Sequence, residues 1–164
     1  MSLTLGKLMI LAQWLLTRRP TSVAVDITHK CNLKCLHCYW WKQEHPPELD
    51  DGQMIAFLKK LRAGGLRAAI LYGGEPTLRP EICRAADRIF DISLAFTNGL
   101  NGFPELENGQ WILSLDGPET ENDRIRGEGV YQKAVTNLKS AARPPIVHMT
   151  ITRINQNSLE RFVR

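Results

Sequence analysis

Apolar residues recur along this chain in two alternating rhythms. Residues 3–16 form an apolar run at helical spacing, with Gly6, Lys7 and Gln13 inside it. At about fourteen residues it is too short to span a bilayer, and it ends in Arg18-Arg19-Pro20. Ser22–Thr28 is rich in β-branched residues and predicts a strand. Met54, Ile55, Leu58 and Leu61 then repeat with helical period, behind Asp50 or Asp51 as a cap and ahead of Gly64-Gly65 as a stop. Further strands are predicted over residues 67–72, 92–96, 111–115 and 146–152, and helices over 81–90 and 130–142, with another starting at Leu159. The link over residues 100–109 is short and turn-rich, so the helix due there is shortened or missing. Asn122 to Gly127 reads as a polar stretch.

Strand and helix alternate about five times, which means parallel strands joined by helical crossovers. In such folds all strand carboxyl ends lie on one face. Each strand here runs into a small polar motif. A cysteine-rich loop follows the first, Gly73-Gly74-Glu75-Pro76 the second, Thr97-Asn98-Gly99 the third, and Ser114-Leu115-Asp116-Gly117-Pro118 closes the fourth. Four motifs therefore converge on one mouth.

Composition changes this picture little. The 164 residues suit about one domain, with residues 1–20 as a helical extension and 21–164 as the core domain. Lys and Arg number 21 against 17 Asp and Glu, a net +4 spread along the chain. That is not the basic stripe of a nucleic-acid binder, so no nucleic-acid partner is expected. The N-terminal helix packs beside the main domain, or makes weak contact with a membrane surface through Trp14 and the basic pair.

The chemistry lies in Cys31, Cys35 and Cys38, three thiols within eight residues. Three thiolates can hold three irons of a 4Fe–4S cluster and leave the fourth iron open, and an open position separates catalytic metal sites from structural ones. Zinc is the alternative, with His29, His37 or His45 as a fourth ligand. The clustered thiols and the lack of a signal sequence point to a reducing cytoplasm. Cys83 stands apart on a helix and reads as a buried structural thiol. Glu75 offers a carboxylate to a ligand ammonium, and Thr97, Asn98 and Ser114 offer short hydrogen-bonding groups, although turn formation and capping are the commoner roles of such residues.

C-x3-C-x2-C after the first strand, GGEP after the second, TNG after the third and SLDGP at the fourth, in that order, resemble the radical S-adenosylmethionine (radical SAM) enzymes. The resemblance runs from about Val23 to the end of the chain. It implies an α/β fold: a partial (β/α) barrel of parallel strands, with about five of the family's usual six βα units, preceded by the N-terminal helix. The core would thus be truncated at its C-terminus. It implies that Cys31, Cys35 and Cys38 bind a 4Fe–4S cluster whose fourth iron takes the amino and carboxylate groups of S-adenosylmethionine. Gly73, Gly74 and Glu75 would hold the methionine amino group. Thr97 and Ser114 would contact methionine or ribose. His37 stands where the family usually has an aromatic residue near adenine. Tyr39 would pack over the cluster, and residues 149–151 would lie by the adenine. Asp116 and Arg126 gain no single role from the resemblance.

The expected activity is reductive cleavage of S-adenosylmethionine to a 5′-deoxyadenosyl radical that takes hydrogen from a substrate, with an external one-electron donor such as flavodoxin or ferredoxin. The substrate leans towards a peptide or a cofactor precursor. Two other functions remain open at this point: an incomplete, non-catalytic or partner-dependent module that binds cluster and S-adenosylmethionine, and a zinc-binding interaction domain.

Overall fold

In a computed structural model that describes residues 5–163, five parallel strands form one sheet in the order β1-β2-β3-β4-β5. They are β1 (Ser22–Thr28), β2 (Ala68–Gly73), β3 (Ile92–Thr97), β4 (Gln110–Ser114) and β5 (Ile146–His148). The helices are α1 (Leu5–Thr17), α2 (Asp51–Ala63), α3 (Pro80–Ile89), α4 (Glu119–Arg126), α5 (Val130–Ser140) and α6 (Leu159–Val163). Strand order follows chain order without reversal, the winding of a barrel rather than of a doubly wound sheet. Residues 3, 4 and 164 of the expected terminal helices lie outside the described residues.

Local chemistry accounts for most boundaries. Asp50 accepts from the Gln53 amide while the Gln53 side chain accepts from the Asp50 amide, a capping box that starts α2. Pro80 opens α3 at a position where its missing N–H costs nothing. Residues 100–109 form no helix, as expected from their turn chemistry. The buried carboxylate of Asp87 pins this link by accepting from the Glu107 and Asn108 amides.

Alternation along the strands separates two faces. Val25, Ile27, Ala69, Leu71, Ala95 and Trp111 pack with Met54, Leu58, Ile82, Ala86 and Phe90 into the main core, between sheet and helices. Leu113 and Leu115 continue it with Ala134 of α5. The opposite face presents Ile70 and Tyr72 beside Leu94 and Phe96, then Ile112 and Ser114 beside Ile146 and His148, as the register dictates. Cys83 is buried in the main core, and its thiol lies 3.4 Å from the Pro76 carbonyl oxygen.

Two elements depart from the sequence expectation. β5 ends at His148 rather than continuing to residue 152, because the Thr150 amide turns inward to Asp116 Oδ1 at 2.9 Å. The polar stretch over Asn122 to Gly127 is the second half of α4 and its capping glycine. Its buried side chains are Asn122, Ile125 and Arg126, at helical spacing but mostly polar, so a hydrophobic period cannot reveal it.

α1 lies at the amino end of β2, where Gln13 donates to the Gly65 carbonyl at 2.9 Å. Leu5, Leu8, Trp14, Leu15 and Leu16 remain exposed on it. Among the described residues no helix is long and apolar enough to cross a membrane.

Candidate cofactor site at the strand carboxyl ends

The site is built on close backbone packing between two strand ends. Gly73 has φ +118°, and a Cβ there would lie 2.2 Å from the Thr28 carbonyl oxygen. A Cβ on Gly74 would lie 2.1 Å from the Lys30 oxygen. Only glycine fits either position. The contact lets Gly74 N–H donate to Thr28 O at 2.7 Å and Glu75 N–H to Lys30 O at 2.8 Å. The cysteine loop is thereby fastened to the end of β2.

Glu75 is buried, and its carboxylate organises the neighbouring motif. Oε1 accepts from the Thr77 amide (3.0 Å), the Thr77 hydroxyl (2.6 Å) and the Thr97 hydroxyl (2.7 Å), and Oε2 accepts from the Asn98 amide (2.8 Å). Asn98 in turn donates from Nδ2 to Asn32 Oδ1 of the cysteine loop at 2.7 Å. The Thr97 hydroxyl also accepts from the Gly99 amide, so Thr97 supports Glu75 and TNG rather than offering a free hydroxyl.

Cys31, Cys35 and Cys38 are all free thiols and line one cavity of about 330 Å3. Tyr72, Gly73, Gly74, Glu75, Phe96, Thr97, Asn98, Ser114, Arg126, His148 and His37 share its wall. The Tyr72 and Phe96 rings stack at 4.5 Å between centroids, and His148 meets Phe96 edge-on at 5.4 Å. A carboxylate, a glycine backbone, a guanidinium and stacked rings in one wall suit a zwitterion that carries a flat base. The volume is at the small end of the range of about 300–1,000 Å3 for small-molecule sites.

Burial pushes the Cys35 thiol up to about 11, with Arg126 opposing it, and raises the Cys31 thiol as well. Thiolates here need a positive metal centre to balance them, and the set of three sulfur donors fits an iron–sulfur group. The zinc alternative meets an obstacle in the histidines. His37 Nε2 is held by Asp116 Oδ2 at 2.9 Å. His29 and His45 stack on each other at 5.1 Å, beside Glu48 and Trp40. Neither of these two lines the cysteine cavity.

Tyr39 stands outside this wall. Its side chain is largely exposed and meets Trp40 edge-on at 6.4 Å. Of the expected residues 149–151, Thr150 lines the cavity. Tyr72, Phe96 and His148 escaped the sequence reading. The alternation of the strands puts them on the inner face, but which face is the inner one follows only from where the helices pack.

A larger cleft of about 710 Å3 opens between Glu48 and Arg79 and contains none of the three thiols. Its half-buried cation, Arg79, is consumed by the Ile27 and Leu49 carbonyls and by Asp51. That cleft has a structural explanation.

Similarity to known proteins agrees with this geometry. The chain is 31% identical over 159 residues to the sporulation killing factor maturation protein SkfB of Bacillus subtilis strain 168, covering 88% of this chain and 39% of that protein. It is 31% identical over 159 residues to the mycofactocin maturase MftC of Mycobacterium tuberculosis, covering 87% and 41%. It is 30% identical over 162 residues to the pre-heme d1 synthase of Dinoroseobacter shibae, covering 88% and 40%. The chain thus spans about two fifths of the length of these relatives. Its fold matches that of Streptococcus suis SuiB bound to S-adenosylmethionine with a TM-score of 0.74 at 15% identity, over 96% of this chain and 41% of that one. Residues 25–163 match the family model of the Radical SAM superfamily, to which this chain belongs.

Proposed function

We propose that Cys31, Cys35 and Cys38 hold a 4Fe–4S cluster and that the adjoining cavity holds S-adenosylmethionine for radical chemistry on a peptide substrate. The observation that supports this best is the shared cavity: three free thiols, Glu75 on its glycine turn and the Arg126 guanidinium line one wall. When bound, the two cofactors together supply a 5′-deoxyadenosyl radical that can take a hydrogen atom from a substrate.

The protein's own residues bind and orient. The backbone of Gly73 and Gly74 and the carboxylate of Glu75 would hold the methionine ammonium. Arg126 faces the methionine carboxylate with its charge. Ser114, whose hydroxyl makes no hydrogen bond among the described residues, is free for a ribose hydroxyl. Tyr72, Phe96, His148 and His37 provide flat surfaces beside the adenine and exclude water. Thr97 acts through Glu75. Tyr39 contributes from outside the cavity, where it shields the cysteine loop.

A peptide substrate is favoured over a cofactor precursor by the names of the relatives, two of which are maturation enzymes, and by the structure of SuiB bound to its precursor peptide SuiA. An external one-electron donor reduces the cluster. At the opposite end of the strands, exposed Trp14, Leu15 and Leu16 beside Arg18 and Arg19 are the side chains that would touch a membrane surface; co-sedimentation with anionic vesicles, absent in Trp14→Glu, would test this.

The test is anaerobic reconstitution with iron and sulfide, reduction with dithionite, addition of S-adenosylmethionine and assay of 5′-deoxyadenosine, with Cys35→Ala beside the parent. The expected result is about four irons per chain and product in the parent alone. Stoichiometric zinc in place of a cluster would overturn the proposal. A cluster without product would reduce it to a binding module.

A further inference from the structure

Asp116 lies at the end of β4 with no exposed surface, and every polar group it has is used. Its amide donates to Asn122 Oδ1 at 2.9 Å, and its carbonyl accepts from Asn155 Nδ2 at 2.9 Å. Both asparagines are completely buried. Asp116 Oδ1 accepts from the Thr150 amide at 2.9 Å. Oδ2 meets two cationic or potentially cationic partners, His37 Nε2 at 2.9 Å and Arg126 Nε at 2.8 Å. One carboxylate therefore joins the cysteine loop, the last turn of α4 and the segment after β5. The adjacent Leu36 amide donates to the Ile125 carbonyl at 2.7 Å and reinforces the same junction.

Arg126 lines the cavity, as do His37 and Thr150, and is its one permanent cation among the described residues. Its side chain is 8% exposed, so the cation has little water to solvate it and needs a fixed counter-charge. Asp116 Oδ2 lies 2.8 Å from Nε and pairs with the guanidinium by charge, without a well-directed Nε–H hydrogen bond. The two terminal nitrogens make no hydrogen bond among the described residues. Those two nitrogens form the fork that recognises a carboxylate in bidentate fashion.

We propose that Asp116 is a positioning residue: by pairing its charge with Arg126 beside Nε and its hydrogen bond with His37 Nε2, it aims the free fork of Arg126 at the carboxylate of S-adenosylmethionine and fixes that aim relative to the cysteine loop. This rests on the cofactor site proposed above and assigns Asp116 a role in it. An alternative role confined to folding would leave ligand selectivity untouched.

The probe pair is S-adenosylmethionine and its decarboxylated form, which lacks the carboxylate that Arg126 would hold and the open iron would share. Binding of each is measured by calorimetry on anaerobically reconstituted protein, with iron content determined for every sample. The parent is expected to bind S-adenosylmethionine at least about tenfold more tightly than the decarboxylated compound, the size of one charge-assisted contact. In Asp116→Asn, which keeps the shape but removes the charge, the preference should fall at least about fivefold below the parent's at unchanged iron content, the remainder being the iron's own contact with the carboxylate. A lesion of folding would weaken both ligands alike and preserve the ratio.

Asp116→Glu is the second variant, for the case in which Asn prevents folding. It retains the charge but displaces it by one methylene, and the preference must fall there too. A parent that discriminates and variants that discriminate equally well would overturn the role of Asp116 and leave the site assignment standing. A parent that binds neither compound, or both equally, would overturn the role of Asp116 together with the site assignment.

Discussion

Gly74 and Lys30 touch backbone to backbone, so closely that a Cβ on Gly74 would sit 2.1 Å from the Lys30 carbonyl oxygen. The obstacle is main chain, and no side-chain rotation relieves it. Gly74→Ala is expected to separate the end of β2 from the cysteine loop and break the Glu75–Lys30 hydrogen bond. The expected destabilisation is about 3 kcal/mol or more, read from the denaturant midpoint, with a parallel loss of iron retained after reconstitution. Alanine at full stability and full iron content would refute this account of the glycine.

Glu75 receives four hydrogen bonds from Thr77, Thr97 and Asn98. Glu75→Ala leaves buried donors without acceptors, and the expected cost is about 3 kcal/mol or more. Glu75→Gln keeps the volume and most acceptors, mispairs one site and should cost about 1–2 kcal/mol. The Gln variant therefore separates folding from ligand binding. Its affinity for S-adenosylmethionine should drop at least about tenfold while the fold persists.

Burial pushes the Asp116 carboxyl up, but the His37 hydrogen bond, the Arg126 charge and the Thr150 amide outweigh it and hold the group below its ordinary 3.8. A carboxylate lowered on folding adds stability that is fully present above the unfolded value and is lost as the pH falls through the folded one. Asp116→Asn should therefore be less stable than the parent near neutrality, and the gap should narrow below pH 3.8. Thermal midpoints across that range would show it, and a gap independent of pH would contradict it.

The thiols of Cys31 and Cys35 are raised chiefly by burial, Cys35 to about 11. Metal binding requires thiolates, so assembly must release protons. Cluster yield at fixed iron and sulfide should rise with pH across roughly 7 to 9. The charge of Arg126 opposes the rise at Cys35, so Arg126→Gln should move the yield curve to higher pH. Coincident curves would show that Arg126 does not reach the thiols electrostatically.

Several parts of this protein were determined by sequence alone. The β-branched run of Ser22–Thr28, the period of Met54, Ile55, Leu58 and Leu61, and the glycine stops are local signals, and local chemistry sets those elements. Parallel winding followed from the alternation of strand and helix. That winding puts the cysteine loop, Gly73-Gly74-Glu75 and Thr97-Asn98 at one mouth. Other features depend on partners far apart in the chain. α4 was illegible for another reason: it buries Asn122 and Arg126, both of which meet Asp116 just ahead of the helix, so its period is not hydrophobic. β5 was overextended because its end is set by one hydrogen bond from Thr150 to Asp116. Only the tertiary structure showed that Thr97 serves Glu75, that Tyr39 lies outside the cavity wall, and that Tyr72, Phe96 and His148 form an aromatic wall. The role of Asp116 belongs to the same class. A sequence displays which polar groups are present, but a buried charge is defined by what surrounds it, and for Asp116 the side chains and amides that do so are drawn from residues 37 to 155.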